Sequence, residues 1–78
     1  MVKVLMPKFG LIMTEGTISE WYKKVGEHIN AGEPLAQVET QKLVNDVEAP
    51  VSGTIVSILA NVGDTVPCRG YIAEIEQD

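Results

Sequence analysis

Apolar positions along this chain fall in short, partly β-branched runs separated by turns, most of them carrying glycine, and the pattern occurs twice. The first copy contains Gly16-Thr17-Ile18, Val25-Gly26-Glu27 and Leu35-Ala36-Gln37-Val38-Glu39. The second contains Gly53-Thr54-Ile55, Val62-Gly63-Asp64 and Ile72-Ala73-Glu74-Ile75-Glu76, every match at an offset of 37 residues. Residues 2–6 read as a strand that ends at Pro7. In each copy the run after the first glycine fits helical spacing, through Ile18, Trp21, Tyr22 and Val25 and through Ile55, Ile58, Leu59 and Val62. The window is short for a helix, and Thr17-Ile18 and Thr54-Ile55-Val56 are β-branched, so strands are expected instead. The alternation slips at the same place in both copies, which predicts a bulge in each. Val-Gly-acid segments read as turns, with very short strands at Ile29 and Val66. A further turn at residues 30–34 precedes a strand over 35–40, and its repeat is a strand over 72–76. Residues 9–13, apolar but broken by Gly10, read as a loop.

Between the copies lies Thr40-Gln41-Lys42-Leu43-Val44-Asn45-Asp46, and residues 43–49 read as a strand that Pro50 stops. With Gln41-Lys42 as the turn, Val38 faces Asn45 and Ala36 faces Val47 on the inner side. Glu39 then faces Val44, and Gln37 faces Asp46, on the outer side. A rival turn at Asn45-Asp46 is chemically attractive, because both residues tolerate left-handed backbone. The first choice keeps Ala36 and Val47 together in the core, and it leaves Asn45 pointing inward near the hairpin mouth. Many short strands with regular turns mean an all-β sandwich or barrel. Two similar halves, residues 16–39 and 53–76, imply a pseudo-two-fold axis within one domain spanning 1–78. The joining hairpin would then lie at the pole opposite the chain termini.

Composition narrows the chemistry. Seventy-eight residues bury only about 60% of their unfolded surface, so the core is thin and a deep catalytic pocket is hard to enclose. The net charge of −5 argues against nucleic acid and anionic membranes as partners. A single cysteine, Cys68, excludes an internal disulfide and a multi-thiolate metal site, and reads as a small space-filling residue. His28, the one histidine, reads as a surface residue, and a Cys-His pair forty residues apart is weak evidence for a dyad. No apolar run approaches membrane-spanning length, and no signal peptide is visible. Lys42 by itself reads as a solvated charge blunting a hairpin.

Specific strings change that reading. Met6-Pro7-Lys8 with Gly10-Leu11 and Met13-Thr14-Glu15-Gly16-Thr17-Ile18 leads into Trp21, Val25-Gly26-Glu27, Ala31-Gly32 and Glu39-Thr40 with Lys42. Glu48-Ala49-Pro50 with Gly53, and Gly63-Asp64-Thr65-Val66, complete a set covering nearly the whole chain. On these residues the sequence resembles a lipoyl domain of a 2-oxo acid or acetoin dehydrogenase complex acyltransferase, within the biotinyl/lipoyl attachment family. The resemblance implies a flattened β-barrel or sandwich of two four-stranded antiparallel sheets with quasi-two-fold symmetry, a barrel-sandwich hybrid. It implies that Lys42 carries lipoic acid in amide linkage at a hairpin tip. The arm would swing acyl groups and reducing equivalents between active sites, and the domain itself would not be an enzyme. The implied partners are a lipoate-protein ligase or lipoyl transferase, a 2-oxo acid or acetoin decarboxylase, an acyltransferase core and dihydrolipoamide dehydrogenase. The isolated domain would be a monomer, in the cytoplasm or, in a eukaryote, the mitochondrial matrix.

Partner recognition would fall to Glu39, Thr40, Gln41 and Leu43 beside the lysine, and to Leu11 and Ile12 in the loop near it. Phe9 and Met13 of that loop would close the core. Glu39, Asp46 and Glu48 would give the tip an acidic surround. The family often has Asp before the lysine and Ala after it, where this chain has Gln41 and Leu43. Asn45 stands where the family is often apolar. The biotinyl alternative usually carries Met-Lys-Met, and both methionines are replaced here. An unmodified interaction module is the remaining alternative. Residues 42–50 with 7–11 look somewhat like acetoin-cleaving complexes, with pyruvate and branched-chain complexes still open.

Overall fold

The computed structural model describes residues 1–8, 14–41 and 43–78. Its strands are β1 (Val2–Leu5), β2 (Glu15–Trp21), β3 (His28–Ile29), β4 (Pro34–Glu39), β5 (Val44–Glu48), β6 (Gly53–Ile58), β7 (Thr65–Pro67) and β8 (Tyr71–Gln77). No described residue is helical, so no helix is long and apolar enough to cross a membrane. The strands form two four-stranded antiparallel sheets, ordered β1-β8-β6-β3 and β5-β4-β2-β7. Each sheet keeps open edges, which makes the architecture a sandwich, not a closed barrel.

The two halves use the same backbone devices. Register slips between Ile18 and Glu20 in β2 and between Ile55 and Ser57 in β6, where the alternation predicts bulges. A second pair of slips leaves Leu35 and Ile72 as extra residues, so Leu35 with Ala36, and Ile72 with Ala73, are buried as neighbours in sequence. Gly26 and Gly63 share φ 94°, a backbone that a Cβ disfavours, and each donates its N–H across the molecule. Gly26 bonds the Ile55 carbonyl and Gly63 the Ile18 carbonyl, both at 2.7 Å. Returning bonds run from Ile55 N to Glu27 O and from Ile18 N to Asp64 O. The acid that closes each Val-Gly-acid motif folds back on its own turn. Glu27 Oε1 accepts from Lys24 N at 2.7 Å, and Asp64 Oδ2 from Asn61 N at 2.8 Å. These carboxylates satisfy turn N–H groups that would otherwise be left to water.

Between the sheets lies one apolar layer. Ile18, Ile29, Leu35, Val38, Ile55, Ile72 and Ile75 are fully buried, and no polar side chain among the described residues is buried. Each such aliphatic side chain stabilises the fold by roughly 1.5–3 kcal/mol relative to exposure. Trp21 packs against this layer and donates its indole N–H to Ala60 O at 2.8 Å, pinning the end of β2 under the second half.

Alanine at Gly53 would place Cβ against the Glu76 carbonyl and the Ile75 side chain, whereas alanine at Gly26 meets open space and only backbone strain. Gly26→Ala is expected to cost about 1–2 kcal/mol, and Gly53→Ala about 3 kcal/mol. Urea unfolding of the two variants checks the order.

Candidate functional site

The hairpin between the halves is built by β4 and β5. Its register is Glu39 with Val44, Val38 with Asn45, Gln37 with Asp46 and Ala36 with Val47. That is the pairing expected for a turn at residues 41–42. Asn45 and Asp46 lie inside β5, which excludes the rival turn. Thr40 closes the ladder: its N–H donates to Leu43 O at 2.8 Å. Its hydroxyl lies 3.1 Å from the same oxygen and 3.3 Å from Leu43 N. Only residues 41 and 42 stand between the bonded pair. Lys42 itself lies outside the described residues.

The hairpin brings Glu39, Thr40, Gln41 and Leu43 together around that position. Glu39, Gln41 and Leu43 are exposed and Thr40 is half-buried. Leu11 and Ile12, with Phe9 and Met13, lie outside the described residues. Asn45 corrects one expectation. It is exposed, although its pairing partner Val38 is fully buried. It sits on the edge strand, one pair from the hairpin's end, so its amide is open to solvent and needs no buried partner. Val44, beside it, is an apolar side chain left 52% exposed.

A residue that sequence reasoning passed over also belongs here. Tyr22 follows β2, and its hydroxyl donates to Asp46 Oδ1 at 2.9 Å, bridging over β4 to the edge strand of the hairpin. Its place in an apolar periodicity masked this role. The signal was Asp46, whose outward position was legible, but which strand lay beyond β4 was not. The hydrogen bond to Asp46, then partial desolvation and the charges of Asp46 and Glu20, raise the Tyr22 phenol above its ordinary pKa. Ser19 adds a parallel link, donating to Gln37 Oε1 at 2.9 Å.

His28 and Cys68 have separate surroundings. His28 is exposed, with Nε2 2.8 Å from Asp78 Oδ2. Cys68 is half-buried, its thiol directed at Pro7 O at 3.9 Å. No group of three or more His, Cys, Asp or Glu among the described residues could hold a metal ion. The arrangement presents one short, polar-closed tip on a rigid base, which suits a covalently attached group that needs no pocket.

Comparisons with known proteins agree with that geometry. The family model described as "Biotin-requiring enzyme", of the biotin/lipoyl type, matches residues 2–76. The acetyltransferase component of the pyruvate dehydrogenase complex of Corynebacterium glutamicum is 47% identical over 72 residues, covering 92% of this chain and 11% of that protein. The acetyltransferase component of the acetoin cleaving system of Bacillus subtilis is 42% identical over 66 residues, covering 85% of this chain and 17% of that protein. The chain therefore spans less than a fifth of the length of these relatives. The solution structure of the lipoyl domain of the 2-oxoglutarate dehydrogenase complex from Azotobacter vinelandii superposes with a TM-score of 0.72 at 30% identity. That match covers 95% of this chain and 96% of that one.

Two predictions follow from the hairpin's geometry. Thr40→Val keeps the side chain's shape but removes both hydroxyl contacts, so the hairpin should lose about 1 kcal/mol and the Leu43 amide should exchange faster by NMR. The raised Tyr22 pKa means folding favours the protonated phenol. Its contribution is complete below the unfolded pKa and disappears as pH rises through the folded value. In Asp46→Asn, absorbance titration of the phenol should shift to lower pH.

Proposed function

The chain belongs to the biotin/lipoyl attachment family, and on that premise we propose that residues 1–78 are one lipoyl carrier domain, with lipoic acid attached through an amide to Lys42 Nζ. One observation carries the assignment to Lys42. The Thr40–Leu43 closure leaves a two-residue loop of which Lys42 is one member, on a hairpin whose flanking residues Gln41 and Leu43 face solvent. The relatives and the solved lipoyl domain support the lipoyl group over biotin.

A lysine amine is protonated at neutral pH, so the attaching enzyme must remove a proton before the nitrogen can attack an activated carboxyl. A ligase has to close over the tip to do this. An exposed hairpin whose base is fixed by the β4–β5 ladder and by the Tyr22–Asp46 bond offers such a substrate. Acylation removes the lysine's charge, leaving exposed Glu39 and Asp46 on the hairpin near the root of the arm; Glu48, expected there too, pairs with Pro34 at the far end of the β4–β5 ladder. When attached, the group supplies a dithiolane that accepts an acyl unit together with two electrons. This chain contributes location: it holds the root of the arm in water and raises the arm's effective concentration at active sites tethered to it, to roughly millimolar for a short flexible linker.

The chain is a carrier and not itself a catalyst. We place it in the acyltransferase component of a 2-oxo acid or acetoin dehydrogenase complex. Its partners there are a decarboxylase, the acyltransferase core and dihydrolipoamide dehydrogenase, with a lipoate ligase or lipoyl transferase for modification. Gln41 and Leu43, which flank the lysine, are the side chains placed to influence which decarboxylase accepts the arm.

Coexpression with a lipoate ligase and lipoate tests the assignment by intact mass. The chain is expected to gain one lipoyl group and Lys42→Ala none. No gain, a gain in Lys42→Ala, or preferential biotin uptake with a biotin ligase would overturn it.

A further inference from the structure

A second feature lies away from the hairpin tip. The edge strands β1 and β5, one from each sheet, flank an open groove of about 420 Å³. Its apolar lining is buried Val4, Met6 and Val47 with more exposed Leu5, Pro7 and Pro50. Lys3, Lys8 and Arg69 line it, with Glu48 as the sole carboxylate among its lining residues. The whole chain has six Lys and Arg against eleven Asp and Glu, so half of its cations are gathered here. None of the three is within ion-pair distance of a described carboxylate, since the one ion pair among the described residues is His28–Asp78. Lys3 instead lies over the Tyr71 ring, 4.5 Å from its centroid, with Glu74 opposite it across the β1–β8 pair beyond ion-pair distance.

The pseudo-symmetry separates what the fold requires from what it does not. The groove lies where the two halves meet, and its apolar parts come in pairs. Val4 matches Val47, each opposite an alanine of the central strand, Ala73 or Ala36. The chain then continues from both edge strands to Pro7 and Pro50. The charges are not paired in this way. Lys3 takes the place of Asp46, facing Glu74 where Asp46 faces Gln37. Arg69 takes the place of Gly32 at the offset of 37. Arg69 N donates to Met6 O as Gly32 N does to Ala49 O, both at 2.9 Å. The turn needs left-handed backbone in both halves, with φ 88° at Gly32 and 71° at Arg69. Arg69 is the one described non-glycine residue with positive φ. A side chain kept where glycine suits the backbone, on a residue that lines a cationic groove, points to a use for its guanidinium.

We propose that this groove binds an extended acidic segment of a partner protein, with carboxylates on Arg69, Lys8 and Lys3 and intervening apolar side chains on the apolar lining. Lys3 lies in β1 and Lys8 three residues beyond its end, so five residues separate them, up to about 15 Å if extended, a longer span than one small anion bridges. A segment with alternating acidic and apolar residues spans that distance. β1 and β5 each have a sheet neighbour on one side only, so an added backbone has an edge to pair with. Nucleic acid, the alternative polyanion, offers neither a backbone that pairs with a strand edge nor alternating apolar side chains.

The test uses the unmodified chain, so its result is independent of Lys42. The probe is a five-residue, end-blocked peptide alternating glutamate and valine, titrated while backbone amides are followed by NMR. Shifts are expected at residues 3–8, 47–50 and 69, with binding weakened by salt. Arg69→Gly, which suits the left-handed turn and should fold at least as well, is expected to bind at least fivefold more weakly. Lys3→Gln with Lys8→Gln should weaken binding further. The proposal is overturned if the peptide shifts other residues or none, or if Arg69→Gly binds equally well. Equal binding of a lysine-valine peptide, butyrate or oligothymidylate, or shifts that follow self-association on dilution, would overturn it too.

Discussion

Everything in this domain depends on the two halves completing each other's backbone bonding. The turn at Gly26-Glu27 bonds to Ile55 in the other half, and the turn at Gly63-Asp64 bonds to Ile18 in return. A half alone would leave these groups to water and would expose Ile18, Leu35 and Val38, or Ile55, Ile72 and Ile75, which are fully buried in the pair. Small domains have little core to spare. Sharing a single apolar layer between two interlocked halves lets a chain this short bury seven large aliphatic side chains completely.

The same interlock explains why one loop is exceptional. Most turns have a counterpart in the other half and are occupied with holding it. The 41–42 loop joins β4 to β5, whereas the equivalent strands β8 and β1 are paired but belong to opposite ends of the chain. The hairpin is thus the connection that has no counterpart in the repeat, closed by Thr40 and braced at its base through Tyr22 and Asp46. Where the fold imposes symmetry, residues repeat. Lys42 in the hairpin, and Arg69, Lys3 and Lys8 around the groove, depart from the repeat, and function is proposed at both places.

Much of this was legible in the chain. The 37-residue offset locates both bulges and all four strands of the repeated β2/β6 and β4/β8 pairs, because alternation and glycine placement report local backbone directly. The hairpin register was legible because one choice of turn alone keeps Ala36 beside Val47. Burial at the sheet edges was not. Asn45 follows the inward alternation yet is exposed, since period alone does not say where the opposite sheet ends. The Tyr22–Asp46 bond depends on strand order across β4, which no local pattern encodes. Arg69 was hidden in plain view. Aligned on the repeat it stands at the position of Gly32, but a positive φ at arginine is not what residue preferences suggest.

The most direct measurement is peptide-level mass spectrometry of the chain purified from cells that can lipoylate it. The chain offers five lysines, Lys3, Lys8, Lys23, Lys24 and Lys42, and attachment governed by charge or exposure alone would not single one out. The account predicts a lipoyl group on Lys42 and on none of the other four. A lipoyl group on any of those four, or biotin on Lys42, would contradict it.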